Sequence, residues 1–129
     1  MKPAGFLFLN FAIFFQLLAF SLPAESASDE MNLHDFMEDY TEIAEKKAKK
    51  GELKYLERVY KEIPNLALPE SKEKWKEITS KALEAKDFKA FKKSCKTCHK
   101  EFKKAYKKTY RKRLVTIPAD LIQLFKEIQ

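Results

Sequence analysis

The sequence predicts an all-α protein built as an antiparallel four-helix bundle, and three observations support this fold class. Apolar residues recur at the three- and four-residue spacing of an amphipathic helix through most of residues 30–113. Glycine is rare, since Gly5 and Gly51 are the only two among 129 residues. No stretch alternates polar and apolar residues over the length of a strand. Four amphipathic helices joined by short links favour an antiparallel bundle.

The first two predicted helices span about residues 30–50 and 52–62. Gly51 is a suitable stop for the first, because glycine adopts the left-handed conformation beyond a helix end without steric cost. Pro64 is expected to end the second, because the residue before a proline avoids the helical conformation. The connection at 64–69 contains apolar residues that we expect to reach the core. The apolar face of the first helix consists of Leu33, Phe36, Met37, Tyr40, Ile43, Ala44 and Ala48.

The third and fourth predicted helices span about residues 72–85 and 88–113. Ser71 and Asp87 stand where N-capping side chains are preferred. The apolar residues of the third helix are Trp75, Ile78, Ala82 and Leu83. The fourth helix aligns Phe88, Phe91, Cys95, Cys98/His99, Phe102, Tyr106 and Tyr110 along one face.

Two further segments flank the predicted bundle domain of residues 27–113. Residues 114–129 form a C-terminal extension in which Pro118 can open a short amphipathic helix. We expect this helix to pack back over the bundle, and a contact between two copies of the chain is the alternative. Its apolar residues are Leu121, Leu124, Phe125 and Ile128.

Residues 1–26 have the pattern of a secretory signal peptide. Lys2 gives a positive start, residues 5–20 are almost wholly apolar, and small residues follow. Ala24 and Ser26 suit the positions before a cleavage site, so we expect cleavage after Ser26. An uncleaved membrane anchor is the alternative, although the apolar stretch is slightly short for a span of about 20 residues. In either case we expect the remainder to be exported, to the periplasm of a bacterium.

The only two cysteines of the chain stand in the run Cys95-Lys96-Thr97-Cys98-His99. This C-x-x-C-H pattern is the attachment signature of a c-type haem. Each thiol can form a thioether with one porphyrin vinyl group, and the histidine can bind the iron from one face. The spacing places the two sulfurs about one helical turn apart. The sequence therefore predicts one covalent haem c, with its iron, on the last helix.

Other uses of these cysteines lack the residues that they need. A thioredoxin-like dithiol would require a surrounding βαβ pattern, and thiol–disulfide chemistry remains a remote alternative. A structural zinc site would require two more ligands, whereas His34 is the only other histidine. The chain also lacks a Ser/His/Asp arrangement, a paired-carboxylate site and a glycine-rich phosphate loop. We therefore predict that the protein is not an enzyme.

An exported four-helix bundle with C-x-x-C-H in its final helix resembles the class II c-type cytochromes, that is, the cytochrome c′ family and its low-spin relatives. The resemblance covers about residues 30–113. It implies an up-down-up-down bundle with the haem near one end, and electron or gas chemistry at the haem. The agreeing positions are Met37, Gly51, Trp75, Asp87, Phe102-Lys103 and Tyr106.

The resemblance implies that the sixth iron ligand comes from the first helix. Met37 lies on its apolar face, and a thioether is a suitable haem ligand. We therefore predict a one-electron carrier with His99 and Met37 on the iron. Five-coordinate iron that binds nitric oxide or carbon monoxide is the alternative, and Met31 or His34 could replace Met37. Lys103 stands where family members often have arginine, which makes it a candidate haem-binding residue that keeps the charge without the planar fork.

The uneven distribution of charge along the chain indicates what kind of partner the protein could bind. The formal charge is +7, and residues 86–113 contain 13 basic against two acidic residues, while residues 28–85 have a net charge of −3. A basic helix beside a haem edge can steer an acidic redox partner protein, and a solvated lysine face is the alternative. Export argues against nucleic acid as a target. We expect membrane contact only if the N-terminal segment is uncleaved, and a homodimer is a further possibility.

Overall fold

The computed structural model describes residues 28–109 and 111–128, which are mostly helical with one small two-stranded sheet. The all-α class is broadly compatible with this arrangement. The predicted signal peptide, residues 1–26, and Tyr110 lie outside the described residues. In chain order the elements are β1 (Asp29–Asn32), α1 (Leu33–Phe36), a π-helical segment (Met37–Glu42), α2 (Ile43–Lys49), α3 (Leu53–Leu66), a 3-10 turn (Pro69–Ser71), α4 (Lys72–Ala85), α5 (Phe88–Thr109), β2 (Leu114–Ile117) and α6 (Ala119–Lys126).

The first predicted helix is continuous from residue 33 to 49, but its middle third is π-helical. We call residues 33–49 the first helical run. It begins at Leu33 instead of residue 30, because the residues before it pair in β1 and the Asn32 side chain accepts the Asp35 amide at 2.9 Å as an N-cap. Its predicted end is confirmed, since Gly51 has a φ of 93°, a conformation that disfavours side chains.

Pro64 does not end the second helix, so that prediction is wrong. The proline lies inside the last turn of α3, which continues to Leu66. Pro64 and Leu66 are both buried, and this burial favours two more helical residues over a break at the proline. Leu66 and Ala67 belong to the core, as expected for the connection.

Of the two predicted caps, one is present and one is absent. The Asp87 carboxylate accepts the Ala90 amide at 2.9 Å, which is the N-cap geometry expected at the start of α5. Ser71 makes no such bond, because its hydroxyl donates to the Leu68 carbonyl. The α5 helix ends at Thr109 and not at residue 113, since residues 111 and 112 form a turn.

The helices pack in sequence order, because short links leave consecutive helices side by side. Thus α2 packs on α3, α3 on α4 and α4 on α5. Among the described elements, α5 has extensive close backbone contact only with α4. The space between α5 and the first helical run is therefore not filled by backbone packing. The largest fully buried side chains are Tyr60, Phe36, Phe91, Phe125, Leu56, Leu66, Ile117, Leu121 and Val59.

The structure contains two short strands, so the expectation that no stretch forms a strand is wrong. β1 and β2 pair antiparallel, with Asp29 opposite Ile117 and Asn32 opposite Leu114. In β2, Val115 and Ile117 are buried while their neighbours are exposed. Four residues of alternation are too few to stand out against a helical pattern.

The C-terminal extension lies against the helices of the same chain. In α6, Phe125 is buried with its ring centroid 4.9 Å from Tyr40 and 5.9 Å from Tyr55. Arg58 of α3 donates two hydrogen bonds to Asp120, at 2.8 and 2.9 Å, which join α3 to α6. Across the residues that the structure describes, no helix is both long and apolar enough to cross a membrane.

Candidate functional site

A cavity of about 550 Å³ lies between the first helical run and α5. This volume is in the usual range for cofactor and ligand sites. All five predicted site residues line it: Met37 on one side, and Cys95, Cys98, His99 and Lys103 on the other. We call the two sides the Met37 wall and the α5 wall. Residues that are distant in the sequence thus meet around one space.

The two thiols and the imidazole of the α5 wall share one face of a regular helix. Cys95 precedes Cys98 by three residues and His99 by four, and residues at these spacings are neighbours on a helix surface. Both cysteines are half-buried and both are free thiols. The C-x-x-C-H motif therefore presents its three reactive side chains together to the cavity.

Both thiols are poor thiolates in this setting. Burial, the neighbouring Cys95 and the charge of Glu101 raise the pKa of the Cys98 thiol to about 11. Burial also raises the pKa of the Cys95 thiol. Dithiol redox catalysts depend on a cysteine with a lowered pKa. This setting disfavours thiol–disulfide chemistry.

Tyr60 of α3 holds the first cysteine in place, a role that the sequence analysis missed. Its hydroxyl donates to the Phe91 carbonyl at 3.0 Å and lies 2.8 Å from the Cys95 sulfur. The ring also packs edge-on against Phe91, with centroids 4.6 Å apart. Burial raises the pKa of Tyr60, so the hydroxyl stays protonated. The apolar periodicity of the second predicted helix indicated that Tyr60 is a core residue. No sequence signal indicated its contact with a thiol 35 residues away.

The protonation state of His99 suits iron binding. Partial burial and the positive charge of Lys103 lower the pKa of His99 below its usual value. A histidine binds a metal through a neutral imidazole nitrogen. Lowering the pKa therefore favours the form of His99 that can act as a ligand.

Met37 faces the cavity from the first residue of the π-helical segment. Its sulfur accepts a hydrogen bond from the Thr41 hydroxyl at 3.5 Å. Of the two alternative ligands, His34 also lines the cavity, where it is exposed and 3.6 Å from both Asp35 and Glu38. Met31 lies in β1 and does not line the cavity.

Charged side chains on the two walls differ in sign and in pairing. The Met37 wall has three carboxylates: Glu38, Glu42 and Glu45. Glu42 and Glu45 pair with lysines of their own helical run at 2.8 and 3.6 Å, and Glu38 lies 3.6 Å from the His34 imidazole. The α5 wall and the turn after it have three cations: Lys103, Lys107 and Arg111. Within the described part of the chain, these cations have no carboxylate partner, so they are available to anionic groups of a bound molecule.

Trp75 contributes a buried hydrogen-bond donor without a partner. It lines the cavity, and its indole nitrogen is the one buried side-chain nitrogen or oxygen among the described residues that has no hydrogen bond. Its ring lies against Phe102, with centroids 5.7 Å apart. An unpaired buried donor costs roughly 1–3 kcal/mol, so a polar atom of a bound group would stabilise this region.

Comparisons of the chain with protein-family models, with curated proteins and with solved structures found no match. The residues of this chain and their arrangement are therefore the basis for a functional proposal.

Proposed function

We propose that this chain is an exported c-type cytochrome that carries one electron at a time. Its haem c is bound through thioethers to Cys95 and Cys98, with His99 as the proximal iron ligand and Met37 as the distal one. The observation that supports this most directly is the position of Met37. It lies 58 residues before Cys95 in the sequence, yet both line one cavity of about 550 Å³.

The residues present fit a haem in three respects. The donor set consists of two thiols, one imidazole and one thioether, which is the set of a His/Met c-type cytochrome. Apolar side chains such as Leu33, Ile63 and Phe102 line the cavity, as a flat macrocycle requires. The cations of the α5 wall, together with the Trp75 donor, suit the two propionate carboxylates.

The order in which the helices pack supports a four-helix bundle, which is the fold that this proposal requires. Four helical units pack in sequence order through short links. We propose that they form the antiparallel four-helix bundle of a class II cytochrome, with the haem on the last helix. A haem between α5 and the first helical run would fill the space that backbone packing leaves there.

In this proposal each wall has its own task. When bound, the haem supplies an iron that changes its charge by one electron. Cys95 and Cys98 fix its position, and the neutral His99 binds the iron. The apolar part of the lining would reduce the contact of the bound group with water, which tunes the potential. Met37 would supply the second iron ligand from the opposite wall, and its thioether would then compete with gas ligands.

Optical spectroscopy of the exported, purified protein tests the proposal. We expect covalent haem that remains attached on denaturation, with a low-spin reduced spectrum that carbon monoxide does not change. Met37→Ala should become high-spin and bind carbon monoxide. Met31→Ala is the matched control, because Met31 does not line the cavity, and it should behave like the wild type.

Two results would contradict the proposal in different ways. An unchanged spin state in Met37→Ala would exclude Met37 as the ligand, and a His34→Ala variant would then test the other lining candidate. Absence of covalent haem would exclude the proposed c-type cytochrome and would favour a function of the two free thiols instead.

Gas binding at a five-coordinate iron is the second candidate function. The specific observation in its favour is that the Met37 sulfur already has a hydrogen-bond partner, the Thr41 hydroxyl at 3.5 Å. If that contact held the sulfur away from the iron, one coordination position would stay open. Ready binding of carbon monoxide by the reduced wild-type protein would favour this function.

The proposed partner is an acidic redox protein in the periplasm. In addition to Lys103, α5 exposes lysines over its whole length, namely Lys89, Lys92, Lys93, Lys96, Lys100, Lys104, Lys107 and Lys108. Electrostatic steering by such a face weakens as ionic strength rises. We therefore expect electron-exchange rates with an acidic redox protein to fall with added salt. Rates that are insensitive to salt would indicate that the lysines act only as a solvated face.

A further inference from the structure

We propose that Thr41 is a positioning residue that tunes the reduction potential of the haem through Met37. Its hydroxyl donates a hydrogen bond to the sulfur that binds the iron. The inference rests on the proposed function, because it requires Met37 to be an iron ligand. It adds a residue to the site that neither the motif nor the family resemblance indicates.

The contact itself is specific. The Thr41 hydroxyl oxygen lies 3.5 Å from the Met37 sulfur, and both half-buried side chains line the cavity. Thioether sulfur is a weak acceptor, so this bond needs favourable placement to form. Because Met37 lines the cavity, its sulfur can still contact a group that is bound there.

Two other threonines in helices, Thr79 and Thr97, behave differently. The hydroxyl of Thr79 donates to the Trp75 carbonyl at 2.9 Å, and that of Thr97 donates to the Lys93 carbonyl at 3.0 Å. Both therefore bond to the backbone four residues earlier, which is the usual choice for threonine within a helix. Thr41 instead bonds to the side chain four residues earlier.

The local backbone accounts for this difference. Thr41 lies in the π-helical segment Met37–Glu42, whereas Thr79 and Thr97 lie in α-helices. In a π-helix the backbone hydrogen bonds span five residues instead of four. The carbonyl that a threonine would otherwise use is displaced, and the hydroxyl reaches the sulfur instead. Such segments are short and frequent at functional sites.

The chemical consequence follows from the two lone pairs of a thioether. One lone pair binds the iron and the other accepts the Thr41 proton. The hydrogen bond withdraws electron density from the sulfur, so the sulfur donates less to the iron. The oxidised iron has the greater need for donated density and is destabilised more. Thr41 therefore raises the reduction potential, by acting on an iron ligand through a hydrogen bond.

The experiment compares holoprotein variants at this position by redox titration and by the Met–iron charge-transfer absorption of the oxidised protein. Thr41→Val keeps the shape of the side chain and removes the donor. At a fixed ambient potential we expect its oxidised-to-reduced ratio to rise about three- to tenfold, where tenfold corresponds to 59 mV for one electron. Thr41→Ser keeps the donor and should restore the wild-type value.

A control and two distinct failures complete the test. Thr116→Val makes the same substitution at an exposed position of β2 that does not line the cavity, and it should leave the potential unchanged. A Thr41→Val protein with the wild-type potential and an intact Met–iron band would overturn this inference alone. A wild-type protein without that band would overturn the assignment of Met37, and the role of Thr41 with it.

Discussion

The two walls of the cavity are built on opposite principles. The α5 wall is one regular helix of 22 residues, Phe88–Thr109, with its reactive groups in a single pentad and its cations unpaired by any described carboxylate. The Met37 wall is interrupted by a π-helical segment, its carboxylates are paired, and its sulfur accepts a hydrogen bond from Thr41. In the proposed cytochrome, the α5 wall would therefore fix the haem and the Met37 wall would adjust its chemistry.

The supports of the two walls differ as well. Cys95 on α5 is held by the hydroxyl of Tyr60, which belongs to helix α3. Tyr40 in the π-helical segment is held by Phe125 of the C-terminal extension, at a centroid distance of 4.9 Å. The Met37 wall is therefore in direct contact with the tail through this pair of rings.

The largest expected effect comes from removing the attachment points of the α5 wall. The double variant Cys95→Ala/Cys98→Ala should contain no covalent haem. Because a helical domain of this size buries a modest apolar area by itself, we expect it to lose more than about 5 kcal/mol of stability relative to the holoprotein. Thermal unfolding followed by circular dichroism measures the difference.

Lys96→Ala serves as the control, since it changes the residue between the cysteines while keeping both thiols. It should retain covalent haem and unfold near the wild-type temperature. Equal thermal stability of the double variant and the holoprotein would show that the cavity needs no cofactor to stay folded.

The second largest loss of stability is expected from truncating Phe125, the ring of the C-terminal extension that packs on the Met37 wall. Phe125→Ala removes a fully buried ring that packs on Tyr40 and Tyr55, and such truncations cost about 3–5 kcal/mol. Hydrogen exchange should show the loss mainly as faster exchange at residues 37–42, with less change in α5. If hydrogen exchange became faster to the same extent in both walls, the tail would stabilise all the helices and not the Met37 wall alone.

The difference between the walls also explains what could be read from the sequence. The α5 wall is local, so the pentad, the helical spacing and the Asp87 cap identify it without a structure. The Met37 wall depends on contacts between distant residues. The bond from Thr41 to Met37 requires a π-helical segment. Burial explains why the four residues of β2 form a strand and why Pro64 lies inside a helix, and no short sequence pattern indicates that burial. The role of Tyr60 likewise depends on a thiol 35 residues away.

A moderate effect is expected from the support of the α5 wall. Tyr60→Phe removes the hydroxyl that bonds to the Phe91 carbonyl and Cys95, and the loss of a buried hydrogen bond should cost about 1–2 kcal/mol. Tyr106→Phe is the comparison variant, because the hydroxyl of this half-buried cavity residue donates to the Arg111 carbonyl at 3.3 Å in a solvent-exposed hydrogen bond. Urea denaturation measures both, and equal losses would argue against a special role for Tyr60.

The smallest effect concerns the ion pair that joins α6 to α3. Hydrogen bonds from Arg58 lower the pKa of the Asp120 carboxyl below its usual value. Because the pKa is lower in the folded than in the unfolded state, the pair stabilises the fold above the unfolded value of about 4. That stabilisation is lost as the pH falls through the folded-state pKa.

Urea denaturation of the wild type and Asp120→Asn between pH 7 and pH 3 measures this contribution. The carboxylate is largely exposed, so we expect a difference of at most about 1 kcal/mol at pH 7, which shrinks toward zero in acid. Glu73→Gln, an exposed change in α4, controls for the loss of one carboxylate. A difference that stays constant from pH 5 to pH 3 would show that the charge of Asp120 contributes nothing, because a charge contribution must begin to shrink below the unfolded-state pKa of about 4. Support of the Met37 wall by the tail would then not depend on pH.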